Sequence, residues 1–170
     1  MKTKLLLTMA LAFFLVGCNM ISLKQGSEIN VQVTSHEFKK KKRVNSTQLK
    51  VYEVSYTSSE SQETQYGLVA KTPDQFSETG VTQGSELNVA PEKVALLKAV
   101  LEANLTQENG STALYPTMEE IQRGVITRVN FIKGKRYVSI LANGSDFVLD
   151  ANSVKELITA LTRIESLNQA

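Results

Sequence analysis

The sequence contains no tryptophan, one histidine and one cysteine, and these scarcities exclude several kinds of site. With a single cysteine, Cys18, the chain cannot form an internal disulfide. With a single histidine, His36, it cannot build a zinc site from several cysteine and histidine ligands. No nucleophile elbow or phosphate-binding loop occurs in a fitting context. The sequence therefore predicts no catalytic residue and no metal site, and we expect a protein that is not an enzyme.

Long apolar runs are also absent. The longest apolar one, residues 5–16, spans twelve residues and includes only one hydroxyl, that of Thr8, whereas a helix that crosses a bilayer needs about 20. Lys2 and Lys4 precede this run and the small residue Gly17 follows it. A positive start, a short apolar core and a small residue at its end are typical of a secretory signal peptide. We therefore predict a signal peptide over residues 1–17.

The end of this leader, Leu15-Val16-Gly17-Cys18, resembles the lipobox of bacterial lipoprotein precursors at all four positions. The resemblance implies cleavage between Gly17 and Cys18, a diacylglyceryl group on the Cys18 thiol and acylation of the new amino group. It implies no cofactor other than this covalent lipid. Asn19 stands where the family has Asp for retention in the inner membrane. The resemblance therefore implies a lipid-anchored envelope protein, at the periplasmic face of the outer membrane where the cell has one.

Cleavage would leave residues 18–170, which is enough for one domain with its own core. We predict a lipidated tether over residues 18–27 and a single α+β domain over residues 28–170. The chain has 19 basic residues, of which Lys2 and Lys4 lie in the leader, so 17 remain against 17 acidic ones. This balance gives no indication of nucleic acid binding.

The first half of the domain is predicted to be rich in strands. Alternating apolar residues indicate strands over residues 29–34, 48–57 and 64–70. Tyr52, Tyr56 and Tyr66 are placed so that we expect them to share a sheet face. The polar stretch 71–88 contains Pro73, Gly80 and Gly84 and is predicted to be a long loop, which in a compact domain is often functional.

The second half predicts two amphipathic helices around a meander. Pro91 opens the first helix, Thr117 begins a capping box for a short helical segment, and Asp150 or Ser153 caps the C-terminal helix. Between them, the turns Lys133-Gly134 and Asn143-Gly144 predict two hairpins. If both loops have two residues, the pairs are Val129–Val138, Val138–Leu149 and Ile140–Phe147. The fold class is then an antiparallel sheet packed by two helices.

The sharpest charge feature is a basic run at residues 39–43, made of Lys39, Lys40, Lys41, Lys42 and Arg43. One interpretation is a solvated hairpin tip or a protected edge strand. The other is a contact with an anionic surface, which is either the headgroups of the membrane or an acidic partner. His36, close to this run, is expected at the surface or at a strand end.

These observations favour a protein-binding or assembly module that is tethered to the envelope and meets a protein partner there. A lipoprotein that binds lipid, glycan or peptidoglycan is the alternative. An envelope hydrolase is a lower alternative, because carboxylates distant in sequence can converge in space.

Overall fold

Two long strands form the hairpin that organises the fold. The computed structural model describes residues 21–77, 80–82, 84–106, 126–142 and 144–170. Strand β1 spans Ile21–Lys39 and strand β2 spans Lys42–Ser58. They pair antiparallel from Ile21 opposite Ser58 to Lys39 opposite Lys42, with three irregularities in the register. Only the middle of the hairpin faces the core, so its two ends project beyond the packed part of the domain.

Seven further strands follow in the described part of the chain, and five of them extend this hairpin on both sides. They are β3 (Thr64–Lys71), β4 (Gln75–Ser77), β5 (Gly80–Thr82), β6 (Glu86–Val89), β7 (Ile126–Ile132), β8 (Lys135–Ala142) and β9 (Ser145–Asp150). Among the described residues, seven strands form one antiparallel sheet in the order β6-β3-β2-β1-β9-β8-β7. Strands β4 and β5 form a separate two-stranded ribbon. The hairpin of β1 and β2 therefore lies near the centre of the sheet order.

Two helices cover one face of the sheet. A 3₁₀ turn at Pro91–Lys93 leads into α1 (Val94–Thr106), and α2 spans Ala151–Gln169. Helix α2 packs against α1 and against β1, β3, β8 and β9. It buries one stripe of side chains, which are Val154, Leu157, Ala160, Leu161 and Ile164. The predicted fold class, an antiparallel sheet packed by two helices of which one is C-terminal, is confirmed.

The C-terminal meander matches the predicted register at each of its three pairs. Val129 lies opposite Val138, Val138 opposite Leu149, and Ile140 opposite Phe147. In the first turn, Lys133 and Gly134 have φ angles of 52° and 74°, as a two-residue type I′ turn requires. The Asp150 side chain caps α2 by accepting a hydrogen bond of 2.8 Å from the Ser153 N–H. The residues at the turns and near the helix cap were therefore enough to predict the C-terminal meander and the start of α2.

The structure corrects other expectations. Residues 21–27 of the predicted tether belong to β1, where pairing with β2 satisfies the backbone. The predicted loop at 71–88 contains β4, β5 and most of β6. Tyr66 pairs with Ser55, one residue out of phase with Tyr52 and Tyr56, so it occupies the opposite sheet face. The capping box that begins at Thr117 lies outside the described residues.

Candidate interaction site at the tip of the first hairpin

The tip between β1 and β2 is a tight turn made of two lysines. Lys40 and Lys41 have φ angles of 49° and 63°, and Lys39 pairs with Lys42 on either side of them. A two-residue turn with positive φ at both positions favours Asn-Gly, and the left-handed conformation costs an L-residue about 1–2 kcal/mol. The sequence therefore keeps positive charge at this turn in spite of an unfavourable local conformation.

The charge at this tip is largely uncompensated. The basic tip, which we define as Lys39, Lys40, Lys41, Lys42 and Arg43, is exposed at every position. Lys39 lies 3.7 Å from Glu37, and both side chains are more than half exposed, so this pair contributes at most about 1 kcal/mol. Within the part of the chain that the structure describes, the other four side chains form no ion pair. The tip therefore presents a compact positive patch to solvent.

An aromatic cluster fixes the base of the tip to the rest of the sheet. The rings of His36, Phe38 and Tyr137 pack edge to face, with centroids 4.9–6.4 Å apart. His36 is 6% exposed and Tyr137 is 8% exposed. Edge-to-face pairs at these distances are favourable beyond the area they bury. Because Tyr137 belongs to β8, the cluster holds the distal part of the hairpin against the meander.

His36 also connects two polar side chains from distant parts of the chain. Its Nδ1 lies 2.9 Å from Ser46 Oγ, and its Nε2 lies 3.2 Å from Asp150 Oδ2. The expectation that His36 lies at the surface is therefore wrong. The burial of His36 could not be predicted, because the covering residues, Tyr137 and Asp150, are more than 100 positions away in sequence.

The order serine, histidine, aspartate is that of a hydrolase triad, but its surroundings indicate a structural role. Asp150 caps α2 through the Ser153 N–H, and its side chain remains 41% exposed. Burial raises the pKa of Asp150, but hydrogen bonds from Ser153 and the contact with His36 outweigh this and bring the pKa below its ordinary value. The Ser46 N–H, which an oxyanion hole would use, already donates to Asn45 Oδ1 at 2.8 Å. We interpret the array as a tie between β1, β2 and the start of α2.

Beside this tie lies a polar cleft of about 590 Å³. Arg128 and Asp146 contribute charges of opposite sign to its lining, and Asn130 Nδ2 donates to Ser139 Oγ at 2.8 Å. Burial raises the pKa of Asp146, and the Ser139 hydroxyl and the charge of Arg128 offset this only in part. Drug-sized ligand pockets are mostly apolar, so this cleft suits a hydrated polar group better than an acyl chain.

Gly17 and Cys18 lie outside the described residues. Within the described ranges, no cluster of three or more His, Cys, Asp or Glu side chains is arranged to hold a metal ion. Over the same ranges, no helix is both long enough and apolar enough to cross a membrane.

Comparisons with known proteins give only distant structural likenesses. No family model matches the chain, and no curated protein matches it. One solved structure concerns SsgB, a protein whose mutations correlate to longitudinal cell division during sporulation of Streptomyces coelicolor. The similarity covers 89% of this chain and 91% of that chain. The identity is 13% and the TM-score is 0.34. A likeness at this level does not indicate a shared function.

Proposed function

We propose that this protein is a lipid-anchored, non-enzymatic protein of the bacterial cell envelope that binds a protein partner through the basic tip. The Cys18 thiol carries the lipid and replaces the leader as the attachment to the membrane. Two or three acyl chains on one residue give durable anchoring, whereas one chain gives only marginal binding. Asn19 favours the periplasmic face of the outer membrane. The lipobox supports the anchor, and the first hairpin supports the partner contact.

The observation that carries the proposal is the placement of the basic tip relative to Cys18. Strand β1 begins three positions after Cys18 and continues without a break to Lys39. Nineteen strand residues at about 3.3 Å each reach up to about 60 Å. Attraction to anionic headgroups decays over a Debye length of about 8 Å at physiological ionic strength. A hairpin that points away from the bilayer therefore takes its tip out of reach of the anchoring membrane, which favours an acidic partner.

Replacing Cys18 tests the anchor. We expect Cys18→Ser to release the protein from the membrane fraction, because serine has no thiol to accept the diacylglyceryl group. Fractionation of cells followed by mass spectrometry of the membrane-bound form is the measurement. Equal membrane retention of Cys18→Ser, or a wild-type mass without lipid, would contradict the anchor.

Neutralising the basic tip tests the partner contact. We expect the variant with Lys40, Lys41, Lys42 and Arg43 all replaced by Gln to lose crosslinking to its partner about tenfold or more, because each charge close to an anionic surface contributes about 1 kcal/mol. The measurement is a crosslinked pull-down of the lipidated protein from its own membranes, at low and at high salt.

The matched control removes the same number of positive charges elsewhere. Lys24, Lys133, Lys135 and Lys155 are exposed and do not belong to the basic tip. Replacing these four by Gln changes the net charge equally, and we expect it to leave the crosslinking within about twofold of wild type because distant charges are screened. Equal recovery from the tip variant and from wild type would refute the tip as the contact.

The polar cleft supports a second candidate, a lipoprotein that binds glycan or peptidoglycan. Arg128 and Asp146 can pair with the polar groups of a sugar or peptide, since charged side chains in a concave site fix the orientation of polar ligands. This candidate predicts that the pull-down recovers glycan and no stoichiometric protein. It also predicts that Arg128→Gln lowers this recovery while the neutralised tip does not.

A further inference from the structure

The end of the first hairpin opposite the basic tip carries an exposed apolar pair. Ile21 is 60% exposed and Leu23 is 62% exposed, and they are the two most exposed large hydrophobic side chains of the described residues. They are two positions apart on β1, so they point to the same face of the strand. Leu23 lies opposite Tyr56 on β2, whose ring is half-buried. This end therefore combines two bare aliphatic side chains with one amphipathic ring.

We infer that Ile21 and Leu23 form a second membrane contact, which inserts into the interface of the bilayer that holds the Cys18 lipid. The inference rests on the proposed lipidation of Cys18. Only Asn19 and Met20 separate that residue from β1. At no more than about 3.6 Å per residue, Ile21 lies within about 11 Å of Cys18, which is comparable to the depth of the headgroup region. The bilayer is therefore the surface closest to the apolar pair.

The charges at the Ile21 end of the hairpin favour an apolar contact over an electrostatic one. The turn after β2, which begins where Ser58 pairs with Ile21, carries Glu60 and Glu63, and both are exposed. Lys24 is the one basic residue of β1 close to this end, and it is exposed too. Because these residues carry two carboxylates and one amine, this end of the hairpin does not attract anionic headgroups. The contact is therefore apolar, and it does not depend on anionic lipid or on salt.

The two ends of the hairpin then have different roles. The apolar end holds β1 at the bilayer through a short connection, and the basic tip lies at the far end of the same strand. Both side chains lie at one end of β1, so their insertion holds that end of the hairpin at the bilayer and leaves the other end free. A hairpin held at this end alone presents the basic tip to a partner at the far end of β1.

The absence of tryptophan provides a clean test. Leu23→Trp places a single indole at the apolar end, where the high exposure of the side chain accommodates the larger ring. Val44→Trp is the matched control, since Val44 is 51% exposed and lies beside the basic tip. Both variants are purified from membranes and reconstituted in vesicles of phosphatidylcholine, with and without a brominated acyl chain. The measurement is tryptophan emission, and mass spectrometry of the same samples reports the lipid on Cys18.

We expect brominated lipid to lower the emission of Leu23→Trp about twofold, because indoles at the interface contact acyl chains. The emission of Val44→Trp should stay unchanged, and neither result should change with salt. Lipidated Leu23→Trp without quenching overturns the inference and leaves the proposed anchor intact. Equal quenching of both variants overturns it as well, since the hairpin then lies flat. A blue shift without quenching means that protein covers the pair, which also overturns it. A mass without lipid overturns the inference and the proposed anchor together.

Discussion

Adding a single methyl group at Gly67 is expected to lower the free energy of unfolding by about 3 kcal/mol, because overpacking a filled site costs about 1–3 kcal/mol or more. A Cβ at this position would overlap the backbone carbonyl oxygen of Val89 and would lie 2.8 Å from the Tyr56 ring. Val89 is 1% exposed and belongs to the edge strand β6. Relief therefore requires β6 to move away from β3, which separates both the ladder and the core side chains.

The measurement is thermal or denaturant unfolding of Gly67→Ala beside Gly26→Ala. A Cβ at Gly26 would meet the Glu53 side chain, with its Cγ at 2.6 Å. A flexible side chain can rotate away, whereas a backbone carbonyl in a ladder cannot. We expect Gly26→Ala to cost about 1 kcal/mol or less, and Gly67→Ala to lower the Tm by roughly 6–12 °C for a domain of this size. Equal costs for the two variants would refute the backbone clash.

Replacing Asp150 by alanine is expected to lower the free energy of unfolding by about 2–4 kcal/mol. The change removes the N-cap of α2, which is worth about 0.5–2 kcal/mol. It also leaves the Nε2 atom of the buried His36 without its partner, which costs about 1–3 kcal/mol. The carboxylate joins β1, β9 and α2 at one point, so a single substitution loosens three elements.

Asp150→Asn separates the two contributions. Its side-chain oxygen still accepts from the Ser153 N–H, since Asn is as good an N-cap as Asp, so only the interaction with His36 changes. We expect a cost of about 1 kcal/mol for Asn, because its amide NH2 replaces the carboxylate oxygen beside His36 Nε2, so the charge is lost and the amide becomes the donor. A double-mutant cycle with His36→Ala measures the coupling directly. Additive costs in that cycle would contradict the tie between His36 and Asp150.

The same carboxylate predicts how stability depends on pH. In the folded state the pKa of Asp150 lies below its ordinary value of 3.8, so the folded protein binds fewer protons than the unfolded chain in that range. By proton linkage, the contribution of the Asp150 carboxylate to the free energy of unfolding is complete above pH 3.8. It is lost as the pH falls through the pKa of the folded state. We expect the acid limb of the stability curve to be shallower in Asp150→Asn than in wild type. Parallel acid limbs would assign the pH dependence to other groups.

Local chemistry explains which parts of the fold were predictable. In the meander, each turn fixes the register of the strands beside it, and alternation chooses the face, so Val129, Val138 and Leu149 could be paired from sequence. Helix α2 was predictable for a similar reason, since Asp150 caps it and its buried stripe follows the helical period. In both cases the residues that specify the structure lie within a few positions of one another.

The first hairpin was only partly predictable because its ends are not buried. Residues 21–28 are exposed on both faces, so apolar alternation does not continue beyond Ile21 and Leu23, and their strand conformation depends on pairing with β2 more than 20 residues later. The short strands in 71–88 were not predicted, for a different reason, since Pro73 and two glycines in that stretch indicate a loop. Burial produces the sequence pattern, and a strand with little burial lacks it.

By itself the sequence determined the antiparallel α+β class, the register of the meander, the two candidate caps of α2 and the location of the positive charge. The tertiary structure alone decided the sheet order, the burial of His36 under Tyr137 and the separation of the basic tip from the apolar pair at Ile21 and Leu23. The physical reason is the distance along the chain over which each feature is specified. Turns, caps and periodicity act between neighbours, whereas His36 and Asp150 meet across 114 positions only when the whole sheet assembles.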